Sequence, residues 1–477
     1  MNSNELLQIG LKFDCRISLD TLPTEIILHL STYINVTDII FNLSLTCKRL
    51  HSIFQNSLYW KQRCLNAYKN VEKSIYEEVT SNEVITVKKE DINMWDGYDF
   101  PPTPDAILKY DWRKTCAERE YLYDYWSRAR ETLYQYKYRQ ESSIDVVKLI
   151  NGGKTCVTGS RDRSIYIYDV EKMAEDIKEE KAISYHARNV HKGWIWTLSF
   201  LNNTRFCSGG WDSCLKTWDL GQSSLEEIGA FKCESAILCS SFASPSLIAL
   251  GTYHKTVRLI DPRISASDYN LKTLANFTNK NLCTPNFDSV SRSATPKNVV
   301  FKDRKMHNGP ILCLTIDSER NLLITGSEDK SICVADLRQS CGGSSYEVGK
   351  MEAKPLYKIP LNGIPLCFSY NSNHMWVGDD VGRVYLFDPF NLFNMIGYFD
   401  SGHAYSVRSI KHRNGLLFTC SADKSFKVFD PTFPPKLVYS HKICLEGEMA
   451  SLDYKNEVLA VASADGGINV WKKKKGL

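Results

Sequence analysis

The chain has 477 residues, of which 43% are hydrophobic and 24% charged, with a formal net charge of +4. That length exceeds one ordinary domain and suits a large repeat fold with a small additional module. The composition is globular rather than disordered, and a charge this mild gives no argument for a nucleic-acid partner.

The opening Met1-Asn2-Ser3-Asn4-Glu5 lacks the basic start and apolar stretch of a secretory signal. No apolar run approaches the roughly 18 residues that cross a bilayer, so no membrane association is expected. Of the 16 cysteines, the closest pair, Cys233 and Cys239, stands six residues apart. No C-x-x-C unit is therefore available for zinc or redox chemistry. Cys207, Cys239, Cys313, Cys333 and Cys367 sit inside apolar runs, as buried thiols in a reducing compartment do. The expectation is a cytoplasmic or nuclear protein with no metal and no cofactor.

In chain order, residues 19–68 read as helices. Pro23 suits a first helical position and Glu25 the positive end of the helix dipole. Ile26, Ile27, Leu30 and Ile34 recur at helical spacing. Thr37 is placed to cap a second helix carrying Ile39, Ile40, Leu43 and Cys47, and a third follows around Leu58, Trp60 and Cys64. Three helices this short cannot bury all these apolar faces alone. They either cap a larger domain or await a partner. Residues 69–130 read as a linker with a helical segment.

Leu133-Tyr-Gln-Tyr-Lys-Tyr-Arg139 then alternates at period two, as a strand does. After it, small residues, a tight turn and an alternating strand recur seven times. The turns are Thr158-Gly-Ser-Arg-Asp162, Ser208-Gly-Gly-Trp-Asp212, Leu250-Gly-Thr-Tyr-His254, Thr325-Gly-Ser-Glu-Asp329, Val377-Gly-Asp-Asp-Val381, Thr419-Cys-Ser-Ala-Asp423 and Val461-Ala-Ser-Ala-Asp465. Successive turns are 50, 42, 75, 52, 42 and 42 residues apart. A base period near 42 is that of a four-stranded propeller blade. The last repeat reaches only three strands at Trp471, so 133–139 is expected to supply the fourth strand of the seventh blade. The long steps mark insertions. Residues 264–303 read as a mobile insertion between blades three and four, with Thr284-Pro285 and Thr295-Pro296 as candidate phosphorylation sites, and residues 339–356 as a smaller one.

The turn aspartates pair with histidines about 20 residues upstream: His191 with Asp212, His307 with Asp329, His403 with Asp423. In the second blade Ser208 and Trp218 complete a four-residue network. Pairs repeated around a ring are a fold device rather than one active site. Blades three and five, with His254 and Val381 at the Asp position, are expected to lose the network. Gly152-Gly-Lys-Thr155 lacks the first glycine of a phosphate loop and reads as a turn. The Lys472–Lys475 run reads as a solvated tail. No H-E-x-x-H or G-x-S-x-G occurs, and the chain is expected not to be an enzyme.

These repeats resemble WD-repeat propellers over about residues 130–472. The N-terminal Leu22-Pro23-x-Glu25-Ile26, Tyr33-Ile34, Asp38-Ile39, Leu43, Cys47-Lys48-Arg49-Leu50, Leu58 and Trp60 resemble the F-box. Together they resemble the F-box/WD-repeat protein family: a small all-α F-box module, residues 19–68, followed by an all-β seven-bladed WD-repeat propeller, residues 131–472. The resemblance implies a substrate-recognition subunit of a Skp–cullin–F-box ubiquitin ligase. The F-box would dock the Skp adaptor, and through it the cullin, with Leu22, Pro23, Ile26, Ile39, Leu43 and Cys47. The propeller would hold a target protein for ubiquitination. An interaction scaffold that does not lead to degradation is the alternative.

Residues beside the turn Asp and upstream His share one face of a propeller. Trp194, Trp196, Trp211 and Tyr253 form a candidate target-binding patch there, although Trp194 or Trp196 could instead pack on an adjacent blade. Related propellers that read phosphopeptides present several arginines at these positions. Here only Arg161 and Arg408 occupy them, opposed by Glu328, Asp379 and Asp380, which favours an unmodified, partly apolar segment.

Overall fold

The computed structural model describes residues 22–67, 112–129, 133–173, 179–221, 224–262, 299–303, 306–337, 355–371, 374–413, 415–430, 434–442 and 447–473. Two compact units divide at Tyr125/Trp126. Most of the 69–130 segment lies outside the described residues, as do the two Thr-Pro sites and the end of the lysine run.

The first unit is helical: Thr24–Ser31, the joined run Val36–Asp38, Ile39–Leu43 and Ser44–Thr46, then Lys48–Phe54, Ser57–Ala67 and Trp112–Ser127, the last reaching the unit boundary. Pro23 caps the first helix from outside rather than opening it. The second run begins at Val36, one residue before Thr37, and widens to a π turn over Ile39–Leu43. Cys47 does not extend that run. Its backbone is extended (φ −154°, ψ 159°), and its Sγ accepts a hydrogen bond from the Leu50 amide, capping Lys48–Phe54. A helix break there turns Leu50 and Phe54 inward beside Ile27, Val36, Ile39, Trp60, Trp112 and Cys116, which form the core.

Arg63 ties this unit together. Its guanidinium donates to Glu120 at 2.9 and 3.1 Å and to the carbonyls of Ser31 and Ile34. Glu120 also accepts the Val36 amide at 3.0 Å. The bonds to the two carbonyls satisfy groups left open at the end of the first helix, and the amide bond caps the start of the second. Burial works against the charged guanidinium, but Glu120 and the Tyr59 hydroxyl together outweigh it and the Arg63 pKa lies above its ordinary value. Removing one partner of such a pair strands the other. Arg63→Ala should therefore cost the helical unit about 3 kcal/mol, read as a shift in its urea midpoint.

The second unit consists of seven four-stranded antiparallel sheets. Each inner strand touches those of the sheets on either side, and the ring closes between Ile144–Ile150 and Met449–Lys455. Six sheets are contiguous in sequence. The seventh combines Met449–Lys455, Val458–Ser463 and Gly467–Lys473 with Leu133–Arg139, which pairs antiparallel from Leu133↔Lys473 to Arg139↔Gly467. The alternation in this strand has its cause here: Tyr136 and Tyr138 are buried while Lys137 and Arg139 are exposed; Leu133, buried too, lies on the opposite face.

One placement differs from the sequence reading. Val299–Asp303 pairs with Val257–Ile260 and is the outer strand of blade three. The long step therefore falls inside that blade, between its third and fourth strands, and not between blades. The shorter insertion likewise precedes Tyr357–Pro360, the outer strand of blade four.

Every inner strand carries a bulge near its start, where the register skips one residue: Asp145, Trp196, Leu238, Leu312, Leu366, Arg408 and Ala450 in blade order. A bulge leaves its extra residue unpaired and re-aims it. The residue after the skip reaches sideways. Cys239, Cys313 and Cys367 donate their thiols to the carbonyls of Ile311, Pro365 and Val407 at the start of the next blade, at 3.5, 3.5 and 3.4 Å. Burial pushes the Cys239 and Cys367 thiols up to about 12, which suits structural rather than reactive sulfur. The next strand must be bare at the same level. A Cβ on Gly251 would lie 2.5 Å from Ile311 Cγ2 and 2.7 Å from Cys239 Sγ.

Candidate binding face

In blade two, His191 Nδ1 meets Asp212 at 3.0 Å and Nε2 meets Ser208 Oγ at 2.7 Å, while Trp218 Nε1 donates to Ser208 at 2.8 Å. With the imidazole proton on Nδ1, one chain of donors runs Trp218 to Ser208 to His191 to Asp212. Asp212 also accepts the amides of Lys192 and Cys214. His307 with Asp329 and Thr325, and His403 with Asp423 and Thr419, repeat the core of this arrangement. Ser208, Thr325 and Thr419 are fully buried. Their hydroxyls are thus engaged inside the blade, and the networks pin each turn to the entry loop of its own blade.

The weaker blades use substitutes that the turn motif concealed. In blade one Gln140 takes the place of His and donates to Thr158 Oγ1 (2.7 Å) and the Tyr168 hydroxyl (2.9 Å). Blade five was expected to lose its network. Instead, fully buried Asp379, two residues before Val381, accepts the amides of Val381 and Arg383 and the Tyr385 hydroxyl. Blade three has no acidic turn, and Thr252 and Thr256 hydrogen-bond each other.

Burial opposes the charged form of Asp212, but the hydrogen bonds from His191 and the two amides outweigh it and bring the carboxyl down to about 2. Asp329 and Asp423 lie lower still for the same reason. Burial also holds His307 below its ordinary value, against the pull of Asp329. A group depressed in the folded state stabilises the fold above its unfolded pKa and loses that contribution as pH falls. Stability should therefore begin to drop below about pH 6.5 as His307 is forced to charge. It should drop again between about pH 4 and 2, with Asp212 alone contributing on the order of 2 kcal/mol. Urea midpoints taken from pH 7 to pH 3 check both steps. A midpoint unchanged down to pH 3 contradicts them.

The exposed groups lie next to these networks. Trp194, Trp211 and Tyr253 are 44%, 41% and 49% exposed, and Trp196 is half-buried at its bulge. Trp211 touches both Trp194 (centroids 6.0 Å, 66°) and Trp196 (5.9 Å, 80°), and on its far side Tyr253 of blade three (6.0 Å, 43°). The four rings form one strip across two blades. Trp194 lies one residue before its strand, so the strip depends on the turn as well as on strand alternation. Arg161 stacks on it at 4.9 Å from Trp194 and 5.7 Å from Trp196.

The two arginines each face a carboxylate, Arg161 closely and Arg408 loosely. Arg161 donates to both Asp145 oxygens at 2.9 Å from blade one's bulge, and Arg408 pairs with Glu448 at 3.5 Å. Sequence reasoning missed Asp145 because its aim follows from a bulge that leaves no residue signature.

On the helical unit, Pro23 and Ile26 are exposed, and Leu22, Leu43 and Cys47 are half-buried against the core. Ile39, assigned above to the adaptor face, is fully buried and supports that surface from beneath. Leu30, Tyr33, Phe41, Leu45 and Leu58 are exposed as well. They were legible as apolar, but periodicity does not say which of two apolar faces is the inner one. So many large apolar side chains on a unit this small mark an interaction surface.

A helical unit with an F-box-like segment, followed by a seven-bladed WD-repeat propeller, has the architecture of the F-box/WD-repeat proteins. Residues 19–66 match the F-box-like family, and residues 184–219, 300–336 and 395–430 match the WD domain, G-beta repeat. Over 466 residues the chain is 27% identical to F-box/WD repeat-containing protein 9 of Bos taurus, covering 95% of this chain and 82% of that protein. The Homo sapiens protein of the same name is 25% identical over 464 residues, with the same coverage. F-box/WD repeat-containing protein mec-15 of Caenorhabditis elegans is 23% identical over 465 residues, 94% of each chain. Among the described residues, no helix is long and apolar enough to cross a membrane.

Proposed function

We propose that this protein is the substrate receptor of a Skp–cullin–F-box ubiquitin ligase. Residues 19–68 dock the Skp adaptor, and residues 131–472 hold a target protein for ubiquitination. The observation that carries this reading is the F-box-like match on a unit that leaves Ile26, Leu30, Tyr33, Phe41, Leu45 and Leu58 exposed. The chain's contribution is to raise the effective concentration of the target and orient its lysine, with bond chemistry left to other subunits. The aromatic strip of blades two and three is the target-binding surface.

Retention of a purified Skp adaptor by the full chain tests the first half. Pro23→Ala combined with Ile26→Asp alters only exposed side chains and should lower retention by about tenfold or more, a loss of roughly 1.4 kcal/mol. A parent chain that retains no adaptor, or a variant that retains it equally, removes the ligase reading and leaves a WD-repeat scaffold.

A further inference from the structure

The inner rim of the face continues past the aromatic strip. The residues that precede the turn position, blade by blade, are Arg161, Trp211, Tyr253, Glu328 and Asp380. After the rings on blades two and three the next two groups are therefore carboxylates. Glu328 is exposed and has no ionic partner among the described residues; Asp380 is half-buried, with one oxygen accepting the Ile364 amide at 2.7 Å and no cation beside it. Both rim arginines, in contrast, face a carboxylate, Arg161 a close and mostly buried Asp145 and Arg408 an exposed Glu448 at 3.5 Å. Exposed Arg163, Lys255 and Lys330 follow the turn position, just before the third strand of their blades. Exposed Lys192 stands at the blade-two end of the strip, before Trp194; on the side of blades four and five the unpaired rim charges are carboxylates, and the rings themselves attract cations through their faces.

We propose that this arc, Trp211 and Tyr253 followed by Glu328 and Asp380, selects an unphosphorylated target segment with a lysine or arginine beside a bulky apolar residue. The inference rests on the reading of the strip as the target-binding surface. The apolar side chain packs on the strip, where burial supplies affinity. The cation faces Glu328 and Asp380, where charge supplies selectivity. A phosphorylated segment meets like charge on this arc, where Arg161 is already held by Asp145.

The test uses the full chain and three immobilised pools of nine-residue peptides. Each pool has a central leucine and random flanks, with the second neighbours on both sides fixed as arginine, glutamine or phosphoserine. The arginine pool should retain the protein about fivefold better than the glutamine pool, and the phosphoserine pool less well than either. Glu328→Gln with Asp380→Asn, which keeps the oxygen that accepts Ile364, should bring the arginine pool down to the glutamine level and leave the glutamine pool unchanged. Equal retention by the arginine and glutamine pools, strongest retention by phosphoserine, or no pool above a Gly/Ser control overturns the inference. Trp211→Ala separates the two levels of the reading. If it leaves all pools unchanged, the strip is not the binding surface. If it abolishes retention while the arginine and glutamine pools bind equally, only the charge selection is wrong.

Discussion

Leu133→Ser, Tyr136→Ser and Tyr138→Ser together are expected to abolish cooperative unfolding of the propeller. These side chains are buried, Leu133 on one face and Tyr136 and Tyr138 on the other, in the strand that pairs along its whole length with Gly467–Lys473. Tyr138 also stacks on Tyr168 of blade one (6.1 Å), and Gln135 donates to Asn469 at 3.0 Å, so the strand joins the last blade to the first. Losing three large buried side chains costs roughly 6 kcal/mol or more. That is comparable with the whole net stability of a typical domain. The freed edge of Gly467–Lys473 would then be open to pairing with other chains. Urea unfolding followed by tryptophan fluorescence should lose its single transition, and size exclusion should show aggregates. A midpoint shift equivalent to less than about 2 kcal/mol means that the strand does not close the ring.

Trp126→Ala is expected to destabilise the same unit by about 3–5 kcal/mol. Trp126 is the first residue of the second unit and is fully buried. Its ring lies 5.3 Å from Phe418, 5.9 Å from Tyr454, 6.1 Å from Tyr439 and 6.4 Å from Phe426, which places it between blades six and seven. Phe418 and Tyr454 stack at 4.1 Å beneath it. A pocket that size, ringed by rigid aromatics, cannot collapse around alanine, so the cavity cost adds to the lost transfer energy. Trp126→Phe should recover more than half of the loss. Thermal unfolding of the three proteins decides it, and an alanine variant within about 1 kcal/mol of the parent contradicts the packing.

The blade count and the closing strand were legible because both rest on short-range pattern: a turn motif every 42 residues or so, and seven residues of strict alternation. The helical unit was less legible. Cys47 reads as one more apolar residue on a helix, yet its extended backbone ends one helix and caps the next, and apolar spacing cannot report that. Ile39 and Leu30 are equally apolar in sequence, and only packing makes one core and the other surface. The site failed in a third way. Asp145 and Arg161 are 16 residues apart, and the residue that neutralises the guanidinium is aimed by a bulge. Gln140 went unseen and Asp379 was read as a rim charge, although it is fully buried, because they do the work of a His and a turn Asp with a different residue type or at a shifted position.

The hydrogen bond between Gln135 and Asn469 joins residues 334 apart in the chain. At about 5–20 residues per second, a ribosome would deliver the second of them roughly 15–70 s after the first. Throughout that interval the 133–139 strand has no native partner. Only Tyr136 and Tyr138, which pack with blade one, have native neighbours early. Ring closure thus waits for the seventh blade, however early the first six have formed.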